Sequence, residues 1–134
     1  MKTEILGKPA FAYVNVDLEP GESIIAESDA MSSMSSKLNM KASFNGGFFS
    51  GLAKKFLGGE SLFVNTFKNN TGETERVSLV QATPGDIVEI ELDGGSYCLQ
   101  PGAYIASTPG LKLGVKWAGI ASFLGREGLF QLQV

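Results

Sequence analysis

The chain has 134 residues, the usual length of one domain, with 11 basic and 14 acidic side chains and a formal net charge of −3. Apolar residues make up 43% and charged residues 19%, enough for a core and unlike a disordered chain. An acidic chain is repelled by a phosphate backbone, so no nucleic-acid partner is expected, and the lack of any histidine removes the commonest general base and metal ligand.

Period-two alternation runs through most of the chain. Ala12, Val14, Val16 and Leu18 alternate with Phe11, Tyr13, Asn15 and Asp17. Pro20-Gly21 then punctuates, and Leu38, Met40 and Ala42 alternate with Lys37, Asn39, Lys41 and Ser43. Further on, Val88, Ile90 and Leu92 oppose Glu89, Glu91 and Asp93. Leu111, Leu113, Val115 and Trp117 oppose Lys112 and Lys116, and Phe130, Leu132 and Val134 oppose Gln131 and Gln133. Each pattern predicts a strand with one wet face, the habit of antiparallel sheets.

Pro-Gly at 20–21, 84–85, 101–102 and 109–110 predicts type II turns, while Asn69-Asn70-Thr71-Gly72 and Asp93-Gly94-Gly95 predict hairpin turns. The expected fold is all-β: a single domain over 1–134, an antiparallel sandwich of about nine or ten short strands with one short amphipathic helix or loop insertion.

That insertion is the glycine-flanked stretch from Gly46 to Glu60. At about 100° per residue, Phe48, Phe49, Leu52, Ala53, Phe56 and Leu57 share one half of a helix, with Ser50, Gly51, Lys54 and Lys55 on the other. Gly58-Gly59 supplies a helix stop. So short a helix does not hold alone in water and needs a surface to pack on. Three roles are open: a cap on the β core, a subunit contact, or a membrane-surface contact through Lys54 and Lys55. The last is the weakest, given two lysines and a net acidic chain.

Chemistry is sparse. Cys98 is the only cysteine, which excludes an intrachain disulfide and a structural zinc site within one chain; it reads as a small buried hydrophobe in a strand. Glu89, Glu91 and Asp93 share a strand face, which reads as a solvated face ahead of a weak cation site. Trp117, Tyr97, Tyr104 and Phe123 read as core aromatics ahead of a ligand pocket. Asn69-Asn70-Thr71 has the form of a glycosylation acceptor but reads more simply as a turn. No cofactor and no catalytic residue are expected. Met1-Lys2-Thr3-Glu4 is followed by no apolar run of secretory length, and no stretch approaches the ~20 apolar residues of a membrane span, so the expected compartment is the cytoplasm.

Taken together, Leu18-Glu19-Pro20-Gly21-Glu22-Ser23-Ile24 and Ala26-Glu27-Ser28-Asp29-Ala30-Met31 resemble the opening signature of the AIM24 family, a former domain of unknown function with a TRAP-like fold. Gly58-Gly59-Glu60-Ser61-Leu62-Phe63 resembles that family's most specific motif. Pro84-Gly85-Asp86-Ile87, Pro101-Gly102-Ala103-Tyr104-Ile105-Ala106 and Gly128-Leu129-Phe130 follow in the family's order. The resemblance implies a TRAP-like β-sandwich that forms homo-oligomers. Its mitochondrial members are associated with inner-membrane organisation and respiratory-complex assembly, and the family offers no catalytic residues to carry over.

Family members run longer, whereas this chain stops at Val134. If the family is built from two similar β halves, a second copy would replace the missing half, and an obligate homo-oligomer is expected. The leading expectation is therefore a non-catalytic oligomeric scaffold or interaction protein. The alternatives are a small-molecule or RNA-binding ring, by fold analogy, and a cupin-like enzyme, disfavoured because cupin metals rest on histidines.

Overall fold

Strand β2, Tyr13–Leu18, shows how the pattern becomes structure. Val14, Val16 and Leu18 are buried while Tyr13, Asn15 and Asp17 face outward. The structure is a computed structural model that describes residues 1–44, 63–100, 102–117 and 130–133. The Gly46–Glu60 segment lies outside the described residues, and with it Phe48, Phe49, Leu52, Lys54, Lys55, Phe56, Leu57, Gly58, Gly59 and Glu60.

Eleven strands occur among the described residues, and there is no helix. Besides β2 they are β1 Lys2–Leu6, β3 Ser23–Glu27, β4 Met31–Met34, β5 Asn39–Phe44, β6 Phe63–Lys68, β7 Glu75–Val80, β8 Cys98–Leu99, β9 Ala106–Ser107, β10 Gly114–Trp117 and β11 Phe130–Gln133. Two of them, β8 and β9, have only two residues each, too few to show an alternation.

The described chain divides into two compact units. The first holds Met1–Ser43, Val64–Ile90 and Ile105–Pro109 and is a two-sheet sandwich. One sheet runs β1-β2-β7-β4 and the other β5-β6-β3-β9. The pairs β1–β2, β2–β7, β4–β7, β3–β6 and β3–β9 are all antiparallel. The core between the sheets is Val14, Val16 and Leu18 from β2, Val77 and Leu79 from β7, Ile24 and Ala26 from β3, Phe67 from β6, and Leu38. Burying each of the valine, leucine, isoleucine and phenylalanine side chains contributes about 1.5–3 kcal/mol relative to exposure, which is what holds the sheets face to face. The second unit comprises the rest of the described chain and contains the sheet β10-β11-β8, also antiparallel.

Several expectations fail, among them the hairpin expected at Asp93-Gly94-Gly95, since β7 before it and β8 after it lie in different sheets. The alternation at 88–92 does not become a strand: Val88 is 70% and Ile90 43% exposed, and the chain there is irregular. Among the described residues no strand lies alongside to ladder with it. The segment is fastened instead by an isolated parallel bridge between Phe11 and Gly85 and by Thr3 Oγ1 donating to Glu89 Oε2 at 3.1 Å. Gly85 correspondingly lacks the positive φ of a type II turn, which Gly21 (85°), Gly102 (81°) and Gly110 (97°) do have.

Another failure is Asn69-Asn70-Thr71-Gly72, which is a turn but not a hairpin. It carries the chain from β6 in one sheet to β7 in the other. A further one is Cys98, which lies in strand β8 as expected but is exposed, with Leu99 the half-buried residue of the pair.

Candidate functional site

The motif Glu19-Pro20-Gly21-Glu22 turns the chain from β2 in one sheet to β3 in the other. Glu22 N–H donates to the Glu19 carbonyl at 3.0 Å, closing the turn. Proline presets φ at its second position and Gly21 takes the positive φ at its third. The Glu22 carboxylate then reaches back. Its Oε2 accepts from Glu19 N–H at 2.9 Å and its Oε1 accepts from the Met1 ammonium. These two contacts, the ammonium first, hold the Glu22 carboxyl below its ordinary range. Glu22 is thus a turn lock.

Against this turn sits Asn69, which is fully buried. Its backbone N–H donates to the Glu22 carbonyl and its carbonyl accepts from Gly21 N–H, both at 2.9 Å. Its side-chain amide donates to the Leu18 carbonyl at 2.8 Å and the Glu73 carbonyl at 2.7 Å, while Oδ1 accepts from Thr71 N–H at 2.9 Å and Thr71 Oγ1 at 2.8 Å. One asparagine therefore stitches together the β2–β3 turn and the β6–β7 crossing. Its amide nitrogen is engaged with both carbonyls, which agrees with the turn reading of the Asn-Asn-Thr triplet.

Beside it lies a small ionic cluster. Glu75 opens β7 on the same face as Val77 and Leu79, and its side chain is 8% exposed. A buried carboxylate needs partners. Ser35 Oγ donates to Glu75 Oε2, and Lys37 Nζ stands 3.4 Å from Glu75 Oε1 and 2.8 Å from Glu73 Oε2. Hydrogen bonding and charge attraction from Lys37 hold Glu73 low, and Glu73 with Glu75 holds Lys37 high. Ser35 N–H in turn donates to the Arg76 carbonyl at 2.8 Å, tying the stretch after β4 to β7. On the outward face of the same sheet Arg76 grips Asp17 with two bonds, Nε to Oδ1 at 2.6 Å and Nη2 to Oδ2 at 2.9 Å, and so lowers the Asp17 carboxyl.

Of the residues singled out by sequence, Pro20, Gly21 and Glu22 form the turn, and Met31 begins β4 and packs against the core. Glu89 is exposed and accepts from Thr3, and with no strand at 88–92 the Glu89, Glu91 and Asp93 carboxylates have no common strand face. Among the described residues no three histidine, cysteine or acidic side chains converge on a metal-sized space. The aromatic set is divided: Tyr104 is buried, Tyr97 is 48% exposed, Trp117 pairs with Phe130 across β10 and β11, and Phe123 lies outside the described residues. Ser35 and Glu75 carry no sequence expectation, and Asn69, expected in a turn, also ties two connections together. Glu75 had a signal, since it shares the parity of Val77 and Leu79.

The fold and these clusters define an all-β sandwich protein whose described polar centres lock turns and strand ends. A family model described as mitochondrial biogenesis AIM24 matches residues 3–134, and the chain belongs to that family. It is 32% identical over 128 residues to an uncharacterised protein of Streptococcus pyogenes serotype M6, covering 90% of this chain and 51% of that one. A crystal structure of a protein from Streptococcus pyogenes superposes with a TM-score of 0.72 at 25% identity, over 98% of this chain and 59% of that one. The chain spans about half the length of the relative and less than two-thirds of the solved structure. Among the described residues no helix is long and apolar enough to cross a membrane.

Proposed function

We propose that this chain is a non-catalytic, TRAP-like assembly module that forms homo-oligomers and works in the cytoplasm by presenting its sandwich to partners. The observation that carries the reading is how the buried polar groups are used. Asn65 donates to the Ser28 carbonyl at 3.0 Å, Asn69 joins two connections, and Glu75 is held by Ser35 and Lys37. Among the described residues no buried side-chain nitrogen or oxygen is left without a partner to act on a substrate. Catalytic groups are typically held ready in the opposite condition, with perturbed ionisation in a cleft.

Two further features support the reading. Phe11 and Val88, at 73% and 70% exposed, are large apolar side chains of the kind that contact surfaces use. An exposed lone thiol at Cys98 suits a reducing compartment. The test is sedimentation velocity of the purified chain across the micromolar range. A concentration-dependent or stable oligomer is expected, and a monomer throughout overturns the proposal.

A further inference from the structure

Strand β1 lies at one edge of the sheet β1-β2-β7-β4. It pairs with β2 along its whole length, Lys2 against Asp17 through Leu6 against Tyr13. Among the described residues no strand lies on its other side, and no backbone bond runs from Lys2–Leu6 to anything but β2. In an antiparallel strand alternate residues direct N–H and C=O to opposite sides, so part of the β1 ladder faces outward. Proteins usually blunt such an edge with charge. Here the charges have a particular order: Lys2 and Glu4, opposite in sign, share the face that β1 turns away from the core, with Thr3 and Ile5 on the other face.

That order is complementary to itself. If a second β1 approaches antiparallel with Thr3 opposite Thr3, then Lys2 stands opposite Glu4 of the second copy and Glu4 opposite its Lys2. Centring the pair on Glu4 sets two carboxylates face to face, and centring it on Lys2 sets two ammonium groups face to face. Like charges directly opposite destabilise a sheet and opposite charges stabilise it, so charge selects the first register.

The flanks agree. Phe11 N–H donates to the Gly7 carbonyl at 3.1 Å just beyond the end of β1, and Val88 precedes Glu89, which Thr3 holds. Phe11 and Val88 are the two most exposed large apolar side chains among the described residues. Both therefore sit on segments tied by hydrogen bonds to β1 or to the turn that follows it.

We propose that a second copy of this chain docks on the free edge of β1 in that register, merging the two four-stranded sheets into one continuous sheet. The proposal rests on the homo-oligomer reading above and adds the surface. Sedimentation velocity of wild type, Lys2→Glu, Glu4→Lys and the double swap tests it, with thermal melts confirming that each variant is folded. Each single reversal is expected to raise the dissociation constant by at least about tenfold, because two attractive pairs become repulsive, and the double swap to restore it to within about threefold.

In a Cys98→Ser background, Thr3→Cys is expected to form a disulfide-linked dimer on mild oxidation, since directly opposed residues lie about 4.5–5.5 Å apart at Cα, within disulfide reach. An oligomeric wild type whose single reversals assemble unchanged overturns the β1 edge and leaves the oligomer reading standing. Weakened singles without rescue by the double swap, or a folded Thr3→Cys protein that does not cross-link, overturn the register. A monomeric wild type overturns both proposals.

Discussion

The side-chain amide of Asn69 donates to the Leu18 carbonyl at 2.8 Å across 51 residues of sequence, joining the end of β2 to the crossing between β6 and β7. Leu18 is the last residue of its strand and stands opposite Glu75, the first residue of β7. With the same nitrogen Asn69 also donates to the Glu73 carbonyl. Without the amide the buried Leu18 carbonyl would lose this donor, whereas the exposed Glu73 carbonyl would keep Thr71 Oγ1 at 3.0 Å.

Asn69→Ala is therefore expected to destabilise the protein by about 2 kcal/mol, since leaving one buried acceptor unsatisfied costs about 1–3 kcal/mol. Asn69→Asp should be no better, because a carboxylate keeps the two Thr71 contacts but cannot donate to either carbonyl. Urea unfolding gives the difference. A loss below about 0.5 kcal/mol for both variants would show that solvent replaces the amide.

Phe67 is completely buried in β6 and faces the core from the second sheet, opposite Ile24 on β3. Phe67→Ala should cost about 3–5 kcal/mol, the range for large aromatic truncations in cores that cannot collapse. Tyr13→Ala, on the outward face of β2, should cost far less. Chemical denaturation of the two variants side by side checks the inward and outward assignment of the sandwich.

Acid stability should depend on Asp17. The hydrogen bond and charge of Arg76 depress its folded-state ionisation below the unfolded value. Stability from such a group is fully present above the unfolded range near pH 4 and is lost as pH falls through the lower folded value. Glu73 has the same sign, and Lys37, raised by Glu73 and Glu75, has the opposite one. The Lys37 contribution is present up to about pH 10.5 and disappears as pH rises through its folded value. Asp17→Asn should flatten the decline in melting temperature below about pH 4 and leave the alkaline limb unchanged, while Lys37→Met should flatten the alkaline limb. The reverse pattern would contradict the pairing.

How far these contacts were legible in the sequence depends on whether they are local. The alternation at Ala12–Leu18 became β2 with Val14, Val16 and Leu18 on the core, whereas that at Leu38–Ala42 became β5 with only Leu38, just ahead of the strand, buried and Met40 and Ala42 exposed. The equally regular Val88, Ile90 and Leu92 did not, because alternation states which side chains would face together and not whether a neighbouring strand exists. The Asn69–Gly72 turn was readable from turn chemistry. That it joins two sheets was not, since the same residues serve a hairpin or a crossing. Glu75 was readable in principle, a carboxylate in phase with Val77 and Leu79, but its partners Ser35 and Lys37 lie about 40 residues upstream, where only the fold brings them near.

Cys98 supplies a direct test of one such difference. The apolar neighbours Tyr97 and Leu99 predict burial, whereas the structure turns Leu99 inward and leaves the thiol exposed. In the native state a disulfide reagent such as Ellman's should therefore titrate one thiol per chain, at a rate that adding urea changes by less than about threefold. A thiol that reacts only on unfolding would restore the buried reading.

Gly7 should be the least replaceable glycine in the first unit. It has φ of 72°, and a Cβ built on it would lie 2.2 Å from the Phe11 carbonyl oxygen and 3.6 Å from the Tyr13 ring. The obstacle is backbone and cannot rotate away, and Phe11 N–H is bonded to the Gly7 carbonyl in the same turn. Gly21 shares the positive φ, at 85°, but has nothing within 4 Å of the added carbon. Gly21→Ala thus carries only the left-handed penalty of about 1–2 kcal/mol. Gly7→Ala carries that penalty plus displacement of the turn between β1 and β2, and is expected to cost at least about 3 kcal/mol. Thermal unfolding of the two alanine variants should show Gly7→Ala melting well below Gly21→Ala. Equal melting temperatures would mean that the turn yields without disturbing β1.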